Sequence, residues 1–163
     1  GYASTAAGAG PRHIDFHPHK PFAYVINELD STITTYRQDT KSGALTPLQT
    51  VPSTPSDFTC YSTGAEIWID RYGRNVYVSN RGHDSIGVFG VDAAKGTLSP
   101  RQWVPTKGEV PRFFVFEPAE RFLYVANQGG DSIIAYKVGR NGLLAPTRLR
   151  TKVGSPACIV FSR

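Results

Sequence analysis

Methionine is absent from this 163-residue sequence, cysteine occurs only twice, and no run of 18 apolar residues is present. Without such a run there is no helical membrane span to place. The Ala-, Gly- and Ser-rich start, Gly1 to Gly10, lacks the basic and apolar regions of a signal peptide. Because no initiator methionine is present, the true N-terminus and any targeting segment are expected to lie upstream, and the compartment expected is the cytoplasm. Cys60 and Cys158 show neither CxxC nor Cys/His zinc spacing. Both are expected to be small buried fillers in a reducing compartment. Helical periodicity and capping signals are missing as well.

What is there is ordinary for a soluble globular domain: 40% hydrophobic and 19% charged residues, which excludes wholesale disorder. The formal charge of +5 arises from 18 Lys and Arg against 13 Asp and Glu. Basic residues thicken only near the end, at Arg140, Arg148, Arg150 and Lys152. A nucleic-acid binder gathers them on one stripe interleaved with aromatics. No nucleic-acid or membrane partner is therefore expected, and a small anion accounts for the balance equally well.

An internal repeat decides the architecture. Phe22-Ala23-Tyr24-Val25-Ile26-Asn27 recurs as Asn75-Val76-Tyr77-Val78-Ser79-Asn80 and as Phe122-Leu123-Tyr124-Val125-Ala126-Asn127. An Asp-Ser pair follows each copy (Asp30-Ser31, Asp84-Ser85, Asp131-Ser132), then an alternating stretch (Ile33 to Tyr36, Ile86 to Phe89, Ile133 to Tyr136), then a turn with Gly before Leu. Upstream lies another short apolar run: Ile14 to Phe16, Ile67 to Ile69, Phe113 to Phe116. Each unit thus holds four short period-2 segments separated by turn residues, the pattern of one four-stranded antiparallel sheet.

Such a sheet cannot bury both faces alone, so successive sheets must stack, and stacking around an axis makes a propeller. A β-sandwich would account for the composition but not for the repeated Tyr-Val-x-Asn. The expected fold is all-β, a β-propeller fragment of three blades over 10–63, 64–109 and 110–154, plus the first strand of a fourth at 155–162. Three blades and a strand cannot close a ring. The missing blades, or a second chain, are expected to complete it.

Strand direction alternates within a blade, so the start of the first strand and the loop between the second and third strands lie on one face. This gathers Arg12 and His13, Glu66 and Arg112 with Glu28, Arg81, His83 and Gln128. Arginines beside a carboxylate and a histidine can hold an anion and move a proton. Two readings fit these residues: a substrate site, or an ion-pair network stapling adjacent blades. Asn27, Asn80 and Asn127 are expected to build turns. His17 and His19 are expected to be solvated in a turn, and could ligate a metal only if their loop folded back towards His13.

Gly10-Pro11-Arg12-His13, Tyr24-Val25-Ile26-Asn27-Glu28, Ala65-Glu66-Ile67, Ser79-Asn80-Arg81-Gly82-His83-Asp84-Ser85-Ile86, Pro111-Arg112-Phe113 and Val125-Ala126-Asn127-Gln128 together resemble the C-terminal half of the lactonase family of seven-bladed β-propellers. That family includes propeller-type 6-phosphogluconolactonases and fungal carboxy-muconate lactonising enzymes. The resemblance implies a site without metal or other cofactor that binds a small anionic lactone and hydrolyses it. His13 or Glu66 would be the catalytic base, and Arg12, Arg81 and Arg112 would bind the anion and stabilise the oxyanion. Glu28, His83 and Gln128 would complete the substrate-binding set. Muconate lactonisation is the alternative reaction, and a non-catalytic propeller scaffold the alternative class. An isolated half-ring is expected to be inactive or impaired, since small misplacements cost large factors in rate.

Overall fold

Alternation of apolar and polar residues over six to nine positions produces strands because successive side chains point to opposite faces of a sheet. The computed structural model describes residues 2–162 and holds twelve strands: β1 (Pro11–Phe16), β2 (Phe22–Asn27), β3 (Thr32–Gln38), β4 (Leu45–Pro52), β5 (Thr63–Ile69), β6 (Asn75–Arg81), β7 (Ser85–Val91), β8 (Leu98–Pro105), β9 (Pro111–Phe116), β10 (Phe122–Asn127), β11 (Ser132–Val138) and β12 (Leu144–Lys152). They form three four-stranded antiparallel sheets in simple up-and-down order, β1–β4, β5–β8 and β9–β12. The first strands β1, β5 and β9 adjoin one another, so the sheets stack as blades.

The repeated tyrosine segment is the middle of each blade, and its two faces have different duties. Phe22, Tyr24 and Ile26 of β2, with Ile33, pack against Ile67, Ile69, Val76, Val78, Phe89 and Leu98 of the second blade. Tyr77, Ile86 and Val88 pack in turn against Phe114, Phe116, Leu123, Val125, Ile134, Tyr136 and Leu144 of the third. Burial at this scale, about 1.5–3 kcal/mol per large apolar side chain, comes from stacking blades and not from any one sheet. Tyr77 reaches across to donate from its hydroxyl to the Gly142 carbonyl at 2.8 Å. Tyr124 occupies the matching place on the third blade, where the ring of Phe161 lies 5.6 Å away.

Polar stitches repeat with the blades. Gln49 brackets Leu98 of the next blade, accepting from its N–H at 2.7 Å and donating to its carbonyl at 3.2 Å. Gln102 does the same to Leu144 at 2.8 and 2.9 Å. Asn80 donates to the Ser53 carbonyl and accepts from the Ser53 hydroxyl at the end of the first blade, while Asn127 donates to the Thr106 carbonyl at the end of the second. These asparagines therefore tie neighbouring blades as well as closing turns.

Several expectations change. The Asp-Ser pairs are not equivalent: Asn27 pairs with Thr32, Asn80 with Ser85 and Asn127 with Ser132, so Ser31 aligns with Asp84 and Asp131. Those three residues share the left-handed turn conformation, with φ of 52°, 50° and 45°. Both cysteines are exposed rather than buried. Cys60 lies in the loop joining β4 to β5, and Cys158 in the terminal segment. That segment, 153–162, takes no ladder bonds among the described residues, because a strand needs a neighbour and no further sheet pairs with it.

His17 is buried rather than solvated, at 7% exposure. Its ring lies where a side chain on Gly73 would stand, 2.1 Å from an added Cβ, and Gly73 has φ of +67°. A substituent there would collide with the ring and strain the turn. Gly73→Ala is expected to cost about 2 kcal/mol or more, read as a lower urea midpoint at unchanged m. A change under a few tenths of a kcal/mol would contradict the contact.

Burial, followed by repulsion from Lys20 and His19, holds the His17 imidazole below its ordinary value. A base whose folded pKa is depressed binds fewer protons folded than unfolded. Its contribution to stability is complete above about pH 6.5, the ordinary value, and is lost as pH falls towards the folded pKa. Titration of the His17 ring by NMR should give a midpoint below 6.5; a midpoint at or above it would rule out the buried neutral ring.

Candidate functional site

The first strand of every blade is bulged at its start, and the bulges carry the candidate residues. In β1, Pro11 faces Asn27 and His13 faces Ile26, leaving Arg12 as the extra residue. In β9, Pro111 faces Asn127 and Phe113 faces Ala126, leaving Arg112 extra. In β5, the register shift falls between Gly64, opposite Asn80, and Ile67, opposite Val78, so Ala65 and Glu66 together face Ser79. A bulge re-aims a side chain out of the strict in-out alternation. The equivalent positions read Arg, Ala, Arg at the bulge and His, Glu, Phe after it. The second-to-third loops contribute Glu28, Arg81 and Gln128 from one equivalent position.

These groups meet as one chain of polar contacts between the first two blades. His13 Nδ1 lies 2.6 Å from Glu66 Oε1. The Glu66 side chain is 7% exposed and that of His13 40% exposed, so the pair has a buried end and an open end. Glu66 Oε1 also accepts from the Ile67 N–H at 3.0 Å, while the Glu66 N–H donates to Ser79 Oγ at 3.0 Å. Glu66 Oε2 is buried without a hydrogen bond among the described residues.

Arg12 Nη1 lies 3.2 Å from His13 Nε2 and donates to the Ala65 carbonyl at 2.5 Å. A guanidinium only donates, so Nε2 is the accepting nitrogen. In the neutral ring Nδ1 then carries the hydrogen and donates to Glu66. That arrangement of carboxylate, Nδ1–H and accepting Nε2 fixes both tautomer and ring orientation, as in a general base backed by an acid residue, with the Nε2 electron pair held by Arg12 until that guanidinium turns to an anion.

On its other side Arg12 Nε approaches Glu28 Oε2 at 3.7 Å. Glu28 Oε1 accepts from Arg81 Nη2, which also donates to the Gly64 carbonyl at 3.2 Å. The hydrogen bond from Arg81 holds the Glu28 carboxyl below the usual carboxylate range. Burial, and then repulsion from Arg81, hold Arg12 below the ordinary arginine value, with Glu28 pulling the other way. Arg112 forms no ion pair among the described residues, yet its charge is felt at both Arg12 and Glu28. Three guanidiniums share this region with two carboxylates, leaving a positive surplus suited to an anion.

Gln128 holds the same loop position in the third blade. Its N–H donates to the Val110 carbonyl at 2.9 Å, and its side chain makes no hydrogen bond among the described residues. His83 does not join the cluster. Its ring packs edge-on against Phe58 at 4.5 Å, and Nδ1 lies 2.7 Å from Ser85 Oγ, so it shapes the loop rather than the site. Sequence reasoning missed Ser79, whose hydroxyl holds the bulge beneath Glu66, and Asp15, whose Oδ2 accepts from the Ile69 N–H at 2.8 Å and braces the same blade junction. Burial raises the Asp15 carboxyl. Neither had a signal beyond ordinary strand alternation.

Stacked four-stranded blades whose first strands converge on a basic, partly buried polar cluster define a segment of a β-propeller with an anion-receptive site on one face. The chain belongs to the lactonase family of seven-bladed β-propellers, whose family model matches residues 1–161. It is 41% identical over 165 residues to 6-phosphogluconolactonase of Bacillus subtilis (strain 168), which covers 99% of this chain and 46% of that protein. It is 37% identical to 6-phosphogluconolactonase of Pectobacterium carotovorum subsp. carotovorum (strain PC1), over 85% of this chain and 41% of that one. Among solved structures it is similar to the Pseudomonas aeruginosa periplasmic gluconolactonase PpgL, with a TM-score of 0.89, 32% identity, and coverage of 96% of this chain and 43% of that chain. The chain spans somewhat under half the length of these relatives.

Proposed function

We propose that this chain supplies the catalytic face of a lactonase that opens an acidic sugar lactone, the 6-phosphogluconolactonase reaction, with further blades walling the site in the full-length protein. The observation that carries the reading is the His13–Glu66 contact at 2.6 Å, its carboxylate buried and its imidazole open towards the arginines. The names of the relatives supply the substrate class.

In the reaction, Arg12 turns from His13 Nε2 to the lactone carbonyl oxygen, and Nε2, its electron pair released, takes a proton from a water as the water oxygen attacks the lactone carbonyl carbon. Glu66 holds the ring and balances the imidazolium that forms. The carbonyl oxygen becomes an oxyanion, stabilised by a guanidinium, Arg12 being the one already beside Nε2. When the ring C–O bond breaks, the leaving oxygen takes the proton back from His13, giving the open hydroxy acid. Arg112 is the cation free to bind the substrate's own negative group.

The test is clearance of δ-6-phosphogluconolactone above its spontaneous hydrolysis, by the full-length protein and then by this segment. Acceleration by the full-length protein supports the reading. No acceleration, with turnover of a carboxy-muconate instead, would transfer the site to the lactonising reaction; no turnover of either would leave a scaffold.

A further inference from the structure

The opposite face of the disc carries a second basic cleft that the lactonase chemistry does not use. It lies between the second and third blades, has a volume of about 460 Å³, and is lined by Arg74, Arg101, Arg121 and Arg140, with the exposed ring of Tyr72 at its side and the core rings of Tyr77 and Phe116 buried behind it. These residues come from the turns after β5, β9 and β11 and from β8. Strands alternate in direction, so those turns lie at the far end of the blades from the loops that hold Glu28 and Arg81.

The acids in this cleft are already committed. Asp70 accepts from the Tyr72 and Arg74 N–H groups at 3.0 and 2.9 Å and from the Asn75 amide at 2.8 Å. Glu120 pairs with Arg71 at 3.2 Å, and Arg121 of the lining pairs with Glu117, outside the cleft, at 3.6 Å. Arg74, Arg101 and Arg140 form no ion pair among the described residues.

Arg101 is built into place. The register of β8 shifts beside it, its stem lies 3.0 Å from where a Cβ on Gly90 would stand, and Nη1 donates to Asn75 Oδ1 at 2.5 Å and to the Asn141 carbonyl at 2.8 Å. Tyr72, 63% exposed, forms a wall with the Arg74 guanidinium 5.4 Å from its ring centre. Guanidiniums without ion-pair partners in a concave site beside an exposed aromatic ring suit a phosphorylated small molecule: several anionic oxygens for the forks and an organic body against Tyr72.

We propose that this cleft is a second anion site, binding a phosphate-bearing small molecule independently of the lactone site. Among the described residues its lining has no histidine, cysteine, serine or lysine, and its two carboxylates are already engaged, so the role proposed is binding. The proposal does not rest on the lactonase reading.

The probe is inorganic pyrophosphate, titrated calorimetrically into full-length protein bearing Arg112→Ala to weaken binding at the lactone face. The expected result is a saturable single-site isotherm, weakened about tenfold by Arg74→Ser and again by Arg140→Ser, as for loss of one charged hydrogen-bonding partner each. Both residues are exposed, so the fold should survive, checked by an unchanged urea midpoint. Arg101 is left alone because it also holds Asn75 and Asn141. Absence of saturable binding, or an affinity the same in the parent protein and in both serine variants, would overturn the proposal.

Discussion

His13→Ala in the full-length protein is expected to lower kcat for lactone hydrolysis about 10²- to 10⁴-fold, the range for removing a positioned general base, with KM little changed. The reason is geometric. His13 is the one group of the cluster with an accepting nitrogen turned towards the arginines, and its other nitrogen is held by Glu66. Glu66→Gln should lower kcat in the same direction while preserving volume and the Ile67 contact, because an amide does not balance an imidazolium. Since Glu66 is buried between blades, each variant needs an unchanged near-ultraviolet dichroism spectrum to show that the junction is intact. Wild-type rates in both variants would falsify the assignment of the proton-transfer step. A loss of kcat in His13→Ala alone would keep the base and remove Glu66 from the mechanism.

Arg112→Ala is expected to act on binding rather than on the chemical step. Arg12 and Arg81 share Glu28, so part of their charge is already answered. Arg112 has no such partner among the described residues. A charge-assisted hydrogen bond contributes about 1.5–3 kcal/mol, so KM for the phosphorylated lactone should rise roughly 10- to 100-fold, with kcat nearly constant. The unphosphorylated lactone supplies the contrast: its KM should hardly move. An equal rise for both lactones would mean that Arg112 shapes the site instead of binding the phosphate. A fall in kcat alone would make it the oxyanion donor.

The two readings of the cluster, substrate site and blade staple, are not exclusive in the structure. Arg12 and His13 of β1 reach Ala65 and Glu66 of β5, so the same bonds that form the dyad hold the first blade to the second. The Glu28–Arg81 pair likewise bridges two blades. Substitutions at these residues are therefore expected to lower stability modestly as well as activity. For that reason Arg112, which forms no ion pair among the described residues, separates binding from structure most cleanly.

The all-β class, the three blades and their order were legible in the sequence because strand alternation is local and the Tyr-Val-x-Asn segment recurs in register. The gathering of Arg12, His13 and Glu66 with Glu28 and Arg81 was also legible, since alternating strand direction puts those ends on one face. Several features were not. The bulges at Arg12, Glu66 and Arg112 depend on pairing across strands, which decides where one residue is extra. The departure of His83 depends on a ring of Phe58 from another loop. The burial of His17 depends on Gly73 in the next blade. The exposure of Cys60 and Cys158 follows from where their segments run, not from the nature of cysteine. Period and turn chemistry act between near neighbours and are written in the chain; which side chain faces which is set by contacts between residues some 50 positions apart, and only the packed blades decide them.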